Sequence, residues 1–322
     1  LLGNYDVART HFEESLHLYR LLNLQTGVVA SLNSLAGIAT KRGNVDEARR
    51  YLEACLSAAR EIGDQQRIGT VLNSLGNHAL QQGDYVAARG YYQGSLHIKR
   101  EIGARLGIGI ALGNLAIVAF EQGNLVDGET YAAECLRERR AIGDTRGIAH
   151  ALGLLATVAG YRTQYAEAQR YFEEALQIQR SLNDRTNAAS TIYNLAELAR
   201  LEGQYSEAQT YGEECLALCR VLDEPWGIAD ALKSLGMVAY EQQEELKARQ
   251  LYQEALEIDR KIYNQHGIGF CLIYLGSLDE QIGALGDAER RLEEAVTILR
   301  TVEDRILPLA LGMLAEVKRK VG

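Results

Sequence analysis

Proline is almost missing from this chain of 322 residues: there are 2, alongside 1 Trp, 2 Met and 4 Phe. So little proline leaves long helices uninterrupted and argues against extended linkers or low-complexity segments. Lysine is scarce as well, 7 against 27 Arg among 34 basic residues, a usage that points to a GC-rich, bacterial genome. Acids outnumber bases by 43 to 34, for a net charge of −9. Nucleic acid is therefore not expected as a partner, because phosphate binding needs a concentrated basic face. No run of 18 apolar residues exists and the first residues do not read as a signal peptide, so no membrane partner is expected.

What the chain does contain is a period of forty. From Arg20 every fortieth residue is arginine: Arg60, Arg100, Arg140, Arg180, Arg220, Arg260 and Arg300. The column from Leu16 runs through Leu56, Leu96 and Leu136 to Val296, and that from Ala8 through Ala48, Ala88 and Gly128 to Ala288. A fourth column holds Gly3, Gly43, Gly83, Gly123, Thr163, Gly203, Gln243 and Gly283. Each repeat reads as two helices. Leu32, Leu35, Ala36 and Ala39 have the spacing of one helical face. Gly43 supplies a left-handed helix end, Asn44 an N-cap and Glu47 the far side of a capping box. The second helix carries Ala48, Leu52, Cys55, Leu56 and Ala59, and Asp64 can cap the next helix. Neither helix buries its apolar face alone, so neighbours must stack. Gly or Ala at 36, 76, 116, 156, 196, 236 and 276 is expected to let helices approach closely.

The order Leu35-Ala36, Gly43, Val45 (Tyr85 and Tyr165 elsewhere), Ala48, Leu52 (Tyr92, Phe172) and Cys55 (Ala175) resembles the tetratricopeptide repeat. The match covers the whole chain. The forty-residue form, with an arginine where the family usually has proline, is similar to the repeats of spindle-orientation adaptors, kinesin light chains and bacterial signalling ATPases and transcription regulators. The resemblance implies an all-α fold, a tetratricopeptide-like α-solenoid forming a right-handed superhelix of antiparallel helix pairs. Residues 1–322 then form a single solenoid. Residues 1–22 hold the second helix of a truncated repeat, seven full repeats span about 23–302, and 303–322 form the first helix of another. Leu1-Leu2-Gly3 would close an absent first helix, so a fragment of a larger protein is expected, with effector domains possible in the same full-length chain.

Candidate chemistry is thin. Cys55, Cys135 and Cys215 share a column with Ser and Ala, which wants a small core residue rather than a metal ligand, and reduced thiols suit a cytoplasmic setting. The glycines from Gly103 to Gly113 lack the strand–turn–helix context of a phosphate loop. The histidines at 11, 17, 78, 97, 150 and 266 show no metal spacing. No enzyme activity, metal or cofactor is expected. The arginine column reads as structural, each residue in the last turn of a second helix with an acid four residues on, as in Asp64, Asp144, Asp184, Glu224 and Asp304. Tyr51, Tyr91, Tyr131, Tyr171 and Tyr211 read as a stacking ladder between repeats.

The resemblance also places first helices on a concave, partner-binding face. The stripe opposite the core contains Asn33, Asn73, Asn77 and Asn114, then His150, Tyr193, Asn194, Arg200, Asp230, Lys233 and Tyr274, with Ser34, Ser74, Glu197 and Tyr240 beside them. Amides offer donor and acceptor together, which suits the unpaired backbone of an extended peptide. The Lys–Asn clamp that family members use for acidic C-termini is incomplete, since Asn33, Asn73 and Asn77 lack matching lysines. Asn77 and Asn114 lie outside the Leu/Ala core, so replacing both is expected to leave thermal stability nearly unchanged. The function expected is a protein- or peptide-binding scaffold; the alternative is a ligand-sensing regulatory arm of a STAND-type signalling ATPase or transcription regulator.

Overall fold

A computed structural model describes residues 2–321, with side chains from Tyr5 to Val321, and the chain divides into two compact units, with the boundary in sequence between Thr163 and Gln164. The first contains α1 (Leu2–Leu21), α2 (Gln25–Lys41), α3 (Val45–Glu61), α4 (Gln65–Gln81), α5 (Tyr85–Glu101), α6 (Arg105–Glu121), α7 (Leu125–Ala141) and α8 (Thr145–Tyr161). The second contains α9 (Tyr165–Ser181), α10 (Arg185–Leu201), α11 (Tyr205–Leu222), α12 (Pro225–Glu241), α13 (Glu245–Lys261), α14 (Gln265–Gln281), α15 (Leu285–Thr301) and α16 (Leu307–Val321). No strand occurs among the described residues. The two prolines, Pro225 and Pro308, sit in the first turns of α12 and α16, where a missing N–H costs nothing.

Nearly every helix closes in the same way. Gly43 is left-handed at φ 73°, its N–H donates to the Thr40 carbonyl, and the Asn44 N–H reaches back to the Ala39 carbonyl at 2.9 Å. This is the Schellman arrangement, and it turns the chain within three residues so that successive helices run antiparallel. Thr163 and Gln243, the departures from the glycine column, adopt the same left-handed backbone at φ 58° and 61°. α1 already includes Gly3, so this glycine lies inside a helix rather than at a turn. The capping box is not made either: Asn44 donates its amide to the Glu47 carboxylate at 3.2 Å and makes no cap bond. Asp64, by contrast, accepts the Arg67 N–H at 3.0 Å.

Leu32, Leu35, Ala36 and Ala39 are all buried. Packing is heaviest within the hairpins α2–α3, α4–α5 and α6–α7 of the first unit and α10–α11, α12–α13 and α14–α15 of the second. The small column at 36, 76 and so on has a different role from simple close approach. A Cβ on Gly76 would stand 2.5 Å from the Tyr92 ring, and one on Gly236 2.6 Å from that of Tyr252. At these two positions glycine makes room for a tyrosine sixteen positions later, whereas Ala36 and Ala156 are followed at that offset by Leu52 and Phe172. The cysteine column is buried, and its thiols donate to carbonyls of the preceding helix: Cys55 to Val29, Cys135 to Gly109 and Cys215 to Ala189. Ser95 repeats this bond to Gly69 at 2.7 Å. Burial pushes the Cys55 and Cys215 thiols up to about 11 and about 12, far from a reactive thiolate.

The arginine column pairs differently from the expectation. Arg100, Arg180, Arg220 and Arg260 each reach a glutamate thirty-four residues on, Glu134, Glu214, Glu254 and Glu294, at 2.5, 2.5, 2.8 and 2.6 Å. The bond therefore joins second helices of successive repeats, and the aspartates four residues on serve as helix caps instead, as Asp184 does toward the Asn187 N–H. Arg180 and Glu214 are both more than 40% exposed. Arg180→Ala should therefore lower stability by no more than about 0.5 kcal/mol in a urea titration, with partner affinity unchanged. The tyrosine column does not stack as a ladder: Tyr51 and Tyr171 donate to Glu13 and Glu167, and the ring pairs described lie elsewhere.

Candidate functional site on the first helices

Within each unit the even-numbered helices also touch one another, α4 with α6 and α6 with α8, then α10 with α12, α12 with α14 and α14 with α16. The residues opposite the Leu/Ala stripe therefore form a continuous face within each unit. On α2, Ala30, Asn33, Gly37 and Thr40 are all exposed.

In the first unit the face is built from amides. The Asn114 amide donates to Asn73 Oδ1 at 3.0 Å and to Asn77 Oδ1 at 3.4 Å, bridging α6 to α4. Asn77 Oδ1 also accepts from the hydroxyl of buried Tyr92 at 2.7 Å, so this residue ties the face to the core. Asn33 is exposed, and its amide has no partner among the described residues. His150 retains solvent access but stands among packed neighbours, 3.4 Å from where a Gly113 Cβ would sit. Burial, with Arg139 close by, holds its pKa below the usual histidine value.

In the second unit the face is charged and aromatic. Arg200 pairs with Glu197 at 3.0 Å and Glu241 at 2.5 Å, and Ser234 donates to the other Glu197 oxygen at 2.5 Å. Lys233 is buried, its ammonium shared between Asp230 at 2.9 Å and fully buried Asp259 at 3.1 Å. Tyr274 stacks on Tyr252 and packs against Phe270 and Tyr240, with ring centres 5.3, 4.7 and 5.5 Å away. Burial pushes the Tyr193 phenol well above its normal range. Tyr193, Arg200, Asp230, Lys233 and Phe270 enclose a cleft of about 160 Å³. A larger hollow, about 480 Å³, lies between α1 and α3 of the first unit and is lined mostly by those second helices, so volume alone does not single out the first-helix face.

The tetratricopeptide repeat model matches residues 27–101, 107–181, 147–221 and 227–301, well over half of the chain. This chain is a member of the tetratricopeptide repeat family. Its fold is the family's all-α solenoid. No curated protein matches it in sequence. Among solved structures, the apo form of RapI is 12% identical over 85% of this chain and 98% of its own, with a TM-score of 0.71. A Rap protein complexed with competence and sporulation factor is 14% identical over 99% and 98%, at 0.60. A STAND signal transduction ATPase from Pyrococcus horikoshii with a tetratricopeptide repeat sensor is 16% identical, at 0.71; the match covers 97% of this chain and 50% of that one.

Within this tetratricopeptide framework, Asn73, Asn77 and Asn114 come together in one network, and Tyr193, Arg200, Asp230 and Lys233 around one cleft. Tyr274 joins the aromatic group beside that cleft; Asn33 and half-buried Asn194 stand apart, each with an amide free of partners among the described residues. Periodicity does not mark the column Tyr19, Ala59, Lys99, Arg139, Gln179, Cys219, Asp259, Leu299, of which Tyr19, Lys99, Arg139, Cys219, Asp259 and Leu299 pack against glycines of first helices. A glycine stands eight residues on at five of the eight: Gly27, Gly107, Gly147, Gly227 and Gly267 follow Tyr19, Lys99, Arg139, Cys219 and Asp259, whereas Arg67, Asn187 and Leu307 follow Ala59, Gln179 and Leu299. At Gly27 a Cβ would fall 2.4 Å from the Tyr19 ring. No helix among the described residues is long and apolar enough to cross a membrane.

Proposed function

We propose that the chain is a cytoplasmic protein- or peptide-binding scaffold that engages its partner along the first-helix groove and performs no chemistry of its own. The observation that carries this is the row of side-chain amides on that face, with Asn33 and Asn194 free to bond a peptide backbone. The Rap protein complexed with competence and sporulation factor supports it, as a molecule of similar fold with a bound partner. A second reading, a ligand-sensing arm within a larger signalling ATPase or transcription regulator, draws on the STAND protein, of whose length this chain matches half.

The test begins with a partner recovered by pull-down and titrated calorimetrically. Asn33→Ala and Asn194→Ala should each weaken binding by about 2- to 13-fold, the equivalent of about 0.5–1.5 kcal/mol for one amide bond. Glu53→Ala, on the opposite side in α3, should leave affinity unchanged. Unaltered affinity in both amide variants would remove the groove from consideration. A nucleotide- or DNA-binding domain in the same reading frame would favour the sensor arm.

A further inference from the structure

Two neighbouring repeats differ in how they treat a buried cation. At the start of α8, Asp144 is the N-cap, and its Oδ1 accepts the Gly147 N–H at 3.0 Å while Oδ2 accepts from Arg139. Arg139 is buried, its side chain threaded between Gly109 and Gly147, where a Cβ would come within 2.6 Å of it on either side. One carboxylate thus serves a buried cation and a helix N-terminus together, and both favour negative charge.

Forty residues earlier the same frame recurs. Lys99 stands for Arg139, threaded between Gly69 and Gly107, where a Cβ would lie 2.9 and 2.8 Å from its stem. The Ala104 N–H donates to the Lys99 carbonyl at 2.9 Å, as the Asp144 N–H does to that of Arg139 at 3.0 Å. The cap residue, however, is Ala104, which has no side chain to offer the Gly107 N–H. Lys99 is 4% exposed; its ammonium donates to the Gln66 carbonyl at 2.8 Å and to Thr70 Oγ1 at 3.1 Å. No carboxylate pairs with it among the described residues. At α2 the cap is also apolar, Leu24, but the partner column there holds Tyr19, so no cation is present.

A cavity of about 340 Å³ opens over this point, bounded by Lys99, Thr70, Asn73 and the first turn of α6. Its wall includes Leu106 and Ile110, exposed by 54% and 40%. Burial also lowers the Lys99 pKa, with Asp64 opposing; an anion in the cavity would counter that burial.

We propose that this cavity is a carboxylate subsite, in which an acidic group of a bound peptide takes the place that Asp144 fills in the next repeat. It accepts from Lys99 Nζ and the Gly107 N–H, and an adjoining apolar group lies on Leu106 and Ile110. The proposal rests on the peptide-binding reading and specifies its chemistry. The cation comes from a second helix, reaching through a gap that the two glycines create.

The full chain, with ¹³C-labelled Leu and Ile methyls, is titrated with N-acetyl-leucine, with N-acetylaspartate α-amide and with uncharged N-acetyl-leucinamide. The Leu106 and Ile110 methyl signals report binding. At least one carboxylate should bind tenfold or more tightly than the uncharged amide, and Lys99→Met should erase that difference. Whichever carboxylate binds more tightly assigns the source, a chain terminus or an acidic side chain. Ala104→Asp, which installs the cap, should raise the melting temperature and abolish the titration at these two methyls. The subsite is overturned by equal affinity for acid and amide, by no shift with either carboxylate, by tighter binding of inorganic phosphate, or by discrimination that survives Lys99→Met. The broader reading is tested separately, since a recovered partner that still loses affinity in Asn33→Ala supports the groove even when these probes fail.

Discussion

Lys233→Ala is expected to destabilise the second unit by about 3–5 kcal/mol, because it leaves a buried carboxylate without its cation. Asp259 is fully buried, and besides Lys233 its side chain has the Asn264 amide at 2.7 Å. Space around it is tight: a Cβ on Gly267 would lie 2.2 Å from its Oδ2. Trp226, the single tryptophan, sits in the first turn of α12 and reports this unit in a urea titration followed by fluorescence. Lys233→Met combined with Asp259→Leu should recover most of the loss, since replacing both charges removes the unpaired one. A single-variant loss below about 1 kcal/mol would contradict the assignment. Burial pulls the Lys233 pKa down, but Asp230 and Asp259 outweigh it and hold the group above its usual value. A folded-state pKa above the unfolded value of about 10.4 means the contribution is complete below that pH and is lost as pH rises through the folded value. This lysine should therefore add no pH dependence between about 5 and 9.

Asn77→Ala should cost about 1–3 kcal/mol, contrary to the expectation that replacing Asn77 and Asn114 leaves stability nearly unchanged. The substitution strands the Tyr92 hydroxyl, which is fully buried and whose pKa burial pushes up to about 12. The molecule carries its own control. Tyr252 occupies the same place four repeats later, but Met237 stands where Asn77 would be, and the Tyr252 hydroxyl is buried without a hydrogen-bond partner among the described residues. Tyr92→Phe should lower stability by about 1 kcal/mol, whereas Tyr252→Phe should be neutral or slightly stabilising. Thermal and urea unfolding of the four proteins checks the pattern. An Asn77→Ala protein as stable as the parent would show that the bond to Tyr92 contributes nothing.

The helices, their turns and the Leu/Ala core could be read directly from the forty-residue columns, because local pattern and stacking agree at each position. Partners across repeats could not. The arginine column has an acid four residues on in several repeats, the nearest choice in sequence, yet the guanidinium crosses to the next second helix. Reading offsets of thirty-four would have found Glu134, Glu214, Glu254 and Glu294. Periodicity separated Asn73, Asn77 and Asn114 from the Leu/Ala core. Their bonding was not visible, because whether Asn77 is free depends on Tyr92 reaching past Gly76 from another helix. Lys99 escaped notice for a related reason: it belongs to a second helix, and only its glycine neighbours show that it extends toward the first-helix face.

The glycine pairings bear on how such a chain can be recombined. Tyr92 with Gly76 links the two helices of one hairpin, while Lys99 needs Gly69 in its own hairpin and Gly107 in the next. A crossover between α4 and α5 separates the first pair, and one between α5 and α6 separates Lys99 from Gly107. Importing the segment that holds Arg67 in place of the one that holds Gly107 would drive an arginine into the Lys99 stem. Repeats of identical length are thus not interchangeable parts; a junction such as Lys99 with Gly107 carries a size code, and a viable duplication must copy both sides of it.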